Sequence, residues 1–330
     1  MSPPSMVRTR RRAAGSRGAV LLACALAAAC SAQASPRPTS QPSQEPSAQS
    51  TGAAPTATIG ATPEPTVQLF GEDLLIEPFD HANFTRSTTI DNVYLPLAPG
   101  TQWTWDGSAV VEGERVTRRV ITAITDLSKV IAGVTVVVAF DRDITDGVLQ
   151  EAELAFFAQD DDGAVWYLGE YPEEYEDGAF TEAPFWLAGF EDAYAGLKMP
   201  ADPSLGTFSF SEGWGPKVGW NDRGRVFDAG TETCVPFACY KDVLVIDEFN
   251  RDTPDAHQLK YFAPGVGNVR TGWAGAGESE QERLELTSLV HLDAAALAKV
   301  RDQALALEAH AYVVSPDIYG KTAPLEAPPG

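Results

Sequence analysis

Residues Val134 to Tyr171 read VTVVVAFDRDITDGVLQEAELAFFAQDDDGAVWYLGEY. Val134, Val136, Val138 and Phe140 alternate with Thr135, Val137 and Ala139, the two-residue period of a strand. Asp143-Ile-Thr-Asp-Gly147 supplies turn residues, and Val148 to Ala158 resumes in β-branched and aromatic residues. Asp160-Asp-Asp-Gly163 then turns the chain into Ala164-Val-Trp-Tyr-Leu168. Consecutive strands joined by acidic turns make an antiparallel meander, and the rest of the folded chain is expected to extend it.

Upstream, Thr101, Trp103 and Trp105 share one strand face, and Arg115 to Ile124 forms the next strand. Downstream, Glu170 to Tyr194 is interrupted by Pro172, Pro184 and Gly189 and reads as a long loop carrying Phe185, Trp186 and Phe190. Phe208 to Val226 reads as a bent strand pair around Trp214 and Trp220. Tyr240 to Phe249 is a strand, Gln258 to Thr271 a hairpin about Pro264-Gly265, and Ser279 to Leu289 the last strand. Asp293 suits the N-cap of a helix whose apolar stripe is Leu292, Ala296, Val300, Leu307 and Ala311. The expected fold class is therefore mainly β: a single antiparallel curved sheet, barrel-like or a sandwich, of roughly ten short strands with one C-terminal α-helix protecting its face or edge.

The front of the chain is of another kind. Arg8, Arg10, Arg11, Arg12 and Arg17 precede the apolar run Gly18 to Ala29, which ends at Cys30. This has the regions of a secretory signal, and the run is shorter than the roughly 20 residues that span a bilayer. Leu26-Ala-Ala-Ala-Cys30 resembles a bacterial lipobox, which makes Cys30 the candidate lipid-modified residue, with simple secretion as the alternative. Ser31 to Thr66 is Ser, Thr, Pro, Ala, Gln and Gly with Ile59 as its only large aliphatic residue. It has too little apolar surface to fold and reads as a tether. The expected organisation is a signal over 1–30, a disordered tether over 31–71, a β-rich domain over 72–312 and a flexible Pro- and Gly-containing tail over 313–330.

The chain carries 24 basic and 46 acidic residues, a net charge of −22, and loss of the five signal arginines takes it to 19 − 46 = −27. Phosphate backbones repel such a surface, so nucleic acid is excluded as a partner and membrane contact is left to the lipid anchor. Beyond the signal the cysteines are Cys234 and Cys239, which in an exported chain read as a disulfide.

Three stretches together resemble a group of bacterial exported proteins and lipoproteins: Asn92-Val-Tyr-Leu-Pro-Leu-Ala-Pro-Gly-Thr-Gln-Trp-Thr-Trp105, Ala158-Gln-Asp-Asp-Asp-Gly-Ala-Val-Trp-Tyr-Leu-Gly-Glu170 and Lys260-Tyr-Phe-Ala-Pro-Gly-Val-Gly-Asn-Val269. The resemblance runs from about Asn83 to Leu289. It implies an extracytoplasmic β-rich protein and brings no reaction with it.

No nucleophile elbow, zinc-binding His-Glu-x-x-His or phosphate loop is present, and the four histidines do not fall at ligand spacing. Asp141, Asp143 and Asp146 on one short turn are the candidate calcium ligands, against the plain reading that Asp and Gly make tight turns. A glycan hydrolase using two of Glu170, Glu173, Glu174 and Asp177, with Trp166, Tyr167 or Trp186 stacking on the sugar, is one reading. A carrier of an apolar ligand, with Trp103, Trp105, Trp166 or Trp220 lining the concavity of the sheet, is another. The leading expectation is a lipid-anchored, non-catalytic envelope module that binds a small ligand or an envelope protein and needs no cofactor, calcium excepted.

Overall fold

The structure, a computed structural model, describes residues 76–250 and 252–327. Cys30 and the expected signal and tether over 1–71 lie outside the described residues. Among the described residues fifteen strands run in chain order as β1 (Thr101–Val111), β2 (Glu114–Ile131), β3 (Val134–Thr145), β4 (Val148–Gln159), β5 (Val165–Glu176), β6 (Ala179–Glu182), β7 (Trp186–Leu187) and β8 (Tyr194–Met199). There follow β9 (Phe210–Ser211), β10 (Gly213–Trp214), β11 (Arg223–Cys234), β12 (Cys239–Phe249), β13 (His257–Ala263), β14 (Gly267–Ala274) and β15 (Arg283–His291), then helices α1 (Ala294–Val314) and α2 (Pro316–Tyr319). Among the described residues no helix is long and apolar enough to cross a membrane.

All these strands belong to one antiparallel sheet ordered β10-β8-β5-β4-β3-β2-β1-β15-β14-β13-β12-β11-β9. Its two ends are neighbouring pieces of chain: Ser211 of β9 pairs with Arg223 of β11, while Gly213 of β10 pairs with Ala195 of β8. The segment from Phe210 to Trp214 thus stitches the edges together, and the sheet is a nearly closed barrel. Closure removes the open edges that long strands would otherwise present.

The long hairpins have a local cause. Glu112-Gly113, Ala132-Gly133, Asp146-Gly147 and Asp177-Gly178 each place two successive residues at positive φ, between 47° and 84°. That is the two-residue turn whose twist matches the strands it joins, and glycine fills its second position without a Cβ penalty. The Asp177-Gly178 turn overturns the expected long loop after Glu170: β5 continues through Pro172 to Glu176 and folds back as β6.

Both faces of the meander are covered. Val134, Val136, Val138 and Phe140 of β3, with Leu154 and Phe156 of β4 and Leu168 of β5, face outward under α1, whose Val300, Ala304, Leu307 and Ala311 complete that layer. Asp293 caps the helix by accepting from the Ala296 amide at 2.8 Å. The residues in alternate register, such as Val137, Ala139 and Ala155, face into the barrel with Trp103, Trp105 and Ile124. The expected flexible tail is docked instead as far as residue 327: Tyr319 and Leu325 are buried in the outer layer, and Glu326 bridges to Ser128.

The barrel is plugged at one end. Ile90 and Leu97 of the lead-in pack with Trp103, Ile124, Met199 and Phe262. The acidic turn at residues 160–163 holds this lead-in: Asp161 accepts from the Thr85 amide and hydroxyl, Asp162 from Asn83, and Asp160 from the Ala164 amide and the Trp166 indole. Cys234 and Cys239 form a disulfide at the same end, closing the β11–β12 hairpin.

Candidate functional site

Toward the other end the interior changes character. Below the apolar plug lies a cavity of about 260 Å³, just short of the roughly 300–1,000 Å³ typical of drug-sized ligand sites. Trp105, Phe157, Tyr167, Trp220 and Phe249 contribute its aromatic wall. Phe157 and Tyr167 stack at 4.9 Å, and the Trp220 ring meets Tyr167 edge-on at 5.8 Å.

Carboxylates are the largest group in the rest of the lining. Strand register explains the cluster. Residues 151, 153, 155 and 157 of β4 share one face, and that face turns inward because the alternate residues 152, 154, 156 and 158 are apolar and lie beneath α1. Pairing then sets Asp141 beside Glu153, Glu151 beside Glu174 and Ala155 beside Glu170. Tyr167, wholly buried, donates its hydroxyl to Glu170 Oε2 at 2.5 Å and lies 3.5 Å from Glu153 Oε1. Burial, reinforced by Glu170 and Glu153, pushes that phenol well above its ordinary range, so it stays a donor.

Glu280 and Glu282 line the same cavity at the end of the barrel where β1 turns into β2. Burial drives Glu280 up to about 8, with Glu282, Glu278 and Asp143 adding to the rise and Arg118 opposing it. Arg118 itself is committed to Asp143 at 2.6 Å and Glu282 at 3.2 Å.

Near the seam, Lys198 Nζ bridges Glu212 at 2.6 Å and Glu248 at 2.9 Å, and Lys260 also holds Glu248. Burial works to raise Glu248, but the two lysines prevail and keep it ionised; Glu212, buried beside Glu248, is raised. Asp222 accepts from Asn250 and is pushed by burial to about 6.

Glycine makes the seam possible. A Cβ on Gly213 would stand 2.5 Å from the Trp186 ring, and one on Gly224 would stand 2.5 Å from the Phe210 ring. Trp186 and Trp220 stack here at 5.9 Å.

The residues singled out in the sequence separate accordingly. Trp105 and Trp220 line the cavity. Trp103 stacks on Trp105 at 6.4 Å within the plug and donates its indole N–H to Val266 O. Trp166 lies on the outer face against Phe79 and Phe84. Glu170 and Glu174 face the cavity, whereas Glu173 accepts outside the barrel from Tyr171, Tyr175 and His310, and Asp177 is a turn residue. Asp141 lines the cavity, Asp143 pairs with Arg118, and Asp146 accepts from the Thr117 amide and hydroxyl. The three do not converge, and among the described residues no group of three or more His, Cys, Asp or Glu is placed to hold a metal ion. The sequence reading missed Glu151, Glu153, Lys198, Glu248 and Glu280. For Glu151 and Glu153 the signal was the alternation of acidic with apolar residues on β4.

Fold and site together define a nearly closed antiparallel β-barrel with an acid-lined interior. No family model and no curated protein matches the chain. Two solved structures are similar to it. One, from Bacteroides fragilis, is described as an exported protein with a YmcC-like fold, at 12% identity and TM-score 0.33. The other is described as a lipoprotein from Parabacteroides distasonis, at 11% identity and TM-score 0.34. Each match covers 60% of this chain and 99% of the other. A likeness this loose transfers no function.

Proposed function

We propose that this chain is a lipid-anchored, extracytoplasmic binding module whose barrel interior receives a small polar ligand without transforming it. The observation that carries the reading is the cavity of about 260 Å³ between the apolar plug and the carboxylate end. A barrel that needed only stability would fill that space with side chains. The polar share of the lining favours a polar guest over the apolar one that was the alternative expectation. Native mass spectrometry of the mature chain purified from its own host tests the reading. A retained small molecule supports it, and a bare mass under conditions that preserve the fold counts against it. Anchoring rests on the Leu26 to Cys30 stretch, and Cys30→Ala is expected to release the protein from the membrane fraction.

A second reading has one observation in its favour. Glu153 and Glu170 lie 3.5 and 2.5 Å from the same Tyr167 hydroxyl, so two carboxyls share one wall of the cavity, the minimum that a glycosidase needs. Turnover of a glycan substrate that is abolished by Glu170→Gln would establish it.

A further inference from the structure

The cavity wall beside the barrel seam combines charge of both signs with ring surface. Lys198, Asp222, Glu248 and Lys260 line it together with Trp220. Lys198 is held by Glu212 and Glu248, and Lys260 by Glu248, so these charges are committed to one another. Asp222 stands close enough to interact with both lysines and with Glu248, and its Oδ1 accepts from Asn250 at 3.2 Å.

A charged guest fares badly against such a wall. A cation approaching Asp222 meets two ammonium groups, and an anion approaching Lys198 meets Glu248. To be held by the lysines or by Glu248, either must part a buried ion pair, which strands a charge. A hydroxyl group carries neither cost, because it both donates and accepts. It accepts from an ammonium N–H and donates to a carboxylate oxygen that keeps the partner it already has. Lys198 Nζ has three N–H bonds and bridges two carboxylates, so among the described residues one N–H remains for a guest. Thr122, Gln258, Asn268 and Thr271 continue the lining with neutral groups that also donate and accept.

The rings set the shape of the guest. Trp186 backs the Trp220 indole, stacked at 5.9 Å and within 25° of parallel. Trp220 lies on the lining, with Tyr167 edge-on to it at 5.8 Å. The face of an aromatic ring is negative, so it takes C–H groups that bear partial positive charge. A saturated ring with C–H bonds on its faces and hydroxyls around its rim satisfies both kinds of wall at once. The enclosure of about 260 Å³ falls below the roughly 300–1,000 Å³ of drug-sized sites, which suits one such ring.

We infer that the barrel interior is a binding site for a neutral monosaccharide or a cyclic polyol of that size. Its C–H face lies on Trp220, and its hydroxyls exchange hydrogen bonds with Lys198 and Asp222. The inference rests on the reading of the barrel as a binding module that leaves its ligand unchanged. It names that ligand's class.

Saturation-transfer NMR of the mature chain tests this with D-glucose, D-galactose and D-mannose at millimolar concentration, each beside its own amino sugar and uronate, with cyclohexanol as the ring stripped to one hydroxyl. A free monosaccharide has no glycosidic bond, so binding is read apart from turnover. At least one hexose is expected to bind roughly tenfold or more tighter than its charged counterparts and cyclohexanol. Trp220→Leu should weaken that hexose about tenfold, and Trp220→Phe, which keeps a ring, should weaken it less. Asp222→Asn keeps the acceptor for Asn250 and should cost roughly fivefold, because it loses a charge-assisted hydrogen bond. This variant is isosteric and carries the test if Trp220→Leu fails to fold. An amino sugar, uronate or cyclohexanol bound as tightly as the hexose, and weakened by the same variants, overturns the neutral polyol and leaves the cavity reading standing. Hexose binding unchanged by both Trp220→Leu and Asp222→Asn overturns the site. Absence of binding by every probe to the folded chain overturns the inference, while the cavity reading is still decided separately by native mass spectrometry of protein from its own host.

Discussion

Lys129 Nζ of β2 lies 2.6 Å from Glu308 Oε1 of α1, and both side chains are buried, Lys129 completely. The ammonium group lies over the rings of Tyr312 and Tyr319, 5.7 and 5.2 Å from their centroids. The same carboxylate accepts from the Leu325 amide. One ion pair thus ties the meander, the helix that covers it and the end of the described chain. Removing one partner strands the other's charge, so Glu308→Ala is expected to destabilise the fold by about 3–5 kcal/mol. The paired change Lys129→Met with Glu308→Leu should recover most of that loss, and thermal melts of both variants check it.

The barrel seam gives a second prediction. Gly213 has φ +133, where side chains are rarely tolerated, and its missing Cβ leaves room for the Trp186 ring. Gly213→Ala is expected to cost roughly 1–3 kcal/mol. Hydrogen exchange of the variant should show the loss first at β8 and β11, the strands that the Phe210 to Trp214 segment joins.

Acid-base behaviour gives a third. Burial holds the Glu280 pKa at about 8, above its ordinary value of 4.5, so the folded chain keeps a proton that the unfolded chain has lost. The stability this supplies is fully present below the ordinary carboxylate range and disappears as pH rises through the folded value. Glu280→Gln, which cannot ionise, is expected to flatten the fall in melting temperature between about pH 5 and 8.

The disulfide gives a fourth. Cys234 and Cys239 are five residues apart, and so small a loop constrains the unfolded chain little. Replacing both with Ser should cost about 2 kcal/mol at most by loop entropy, with the barrel still formed. A denaturant titration measures it.

Most of the fold was legible because its local chemistry is explicit. The alternation in Val134 to Phe140, the Asp146-Gly147 turn and the Asp293 cap each specify one conformation, and each is realised. The extent of β5 was hidden by Pro172, which ordinarily ends a strand. Here it stays in the ladder opposite Glu153, and the Asp177-Gly178 turn continues the meander.

The site was harder to read because its polarity runs against expectation. In β4 the apolar residues Ala152, Leu154, Phe156 and Ala158 look like the face of a barrel core, and Glu151 and Glu153 look like solvent-facing residues. The helix α1 reverses that assignment, since its buried stripe needs an apolar sheet face outside the barrel and so turns the glutamates inward. The seam cluster of Lys198, Glu212, Glu248 and Lys260 was out of reach of any local pattern, because those residues meet only when the sheet closes.

The central claim, that the barrel interior is where this protein binds, is tested most directly by a crystal structure of the mature protein purified from its own host. The account predicts electron density for a small molecule inside the barrel, against Trp105 or Tyr167 of the cavity wall. An interior holding water alone, in crystals of the folded protein, would contradict it.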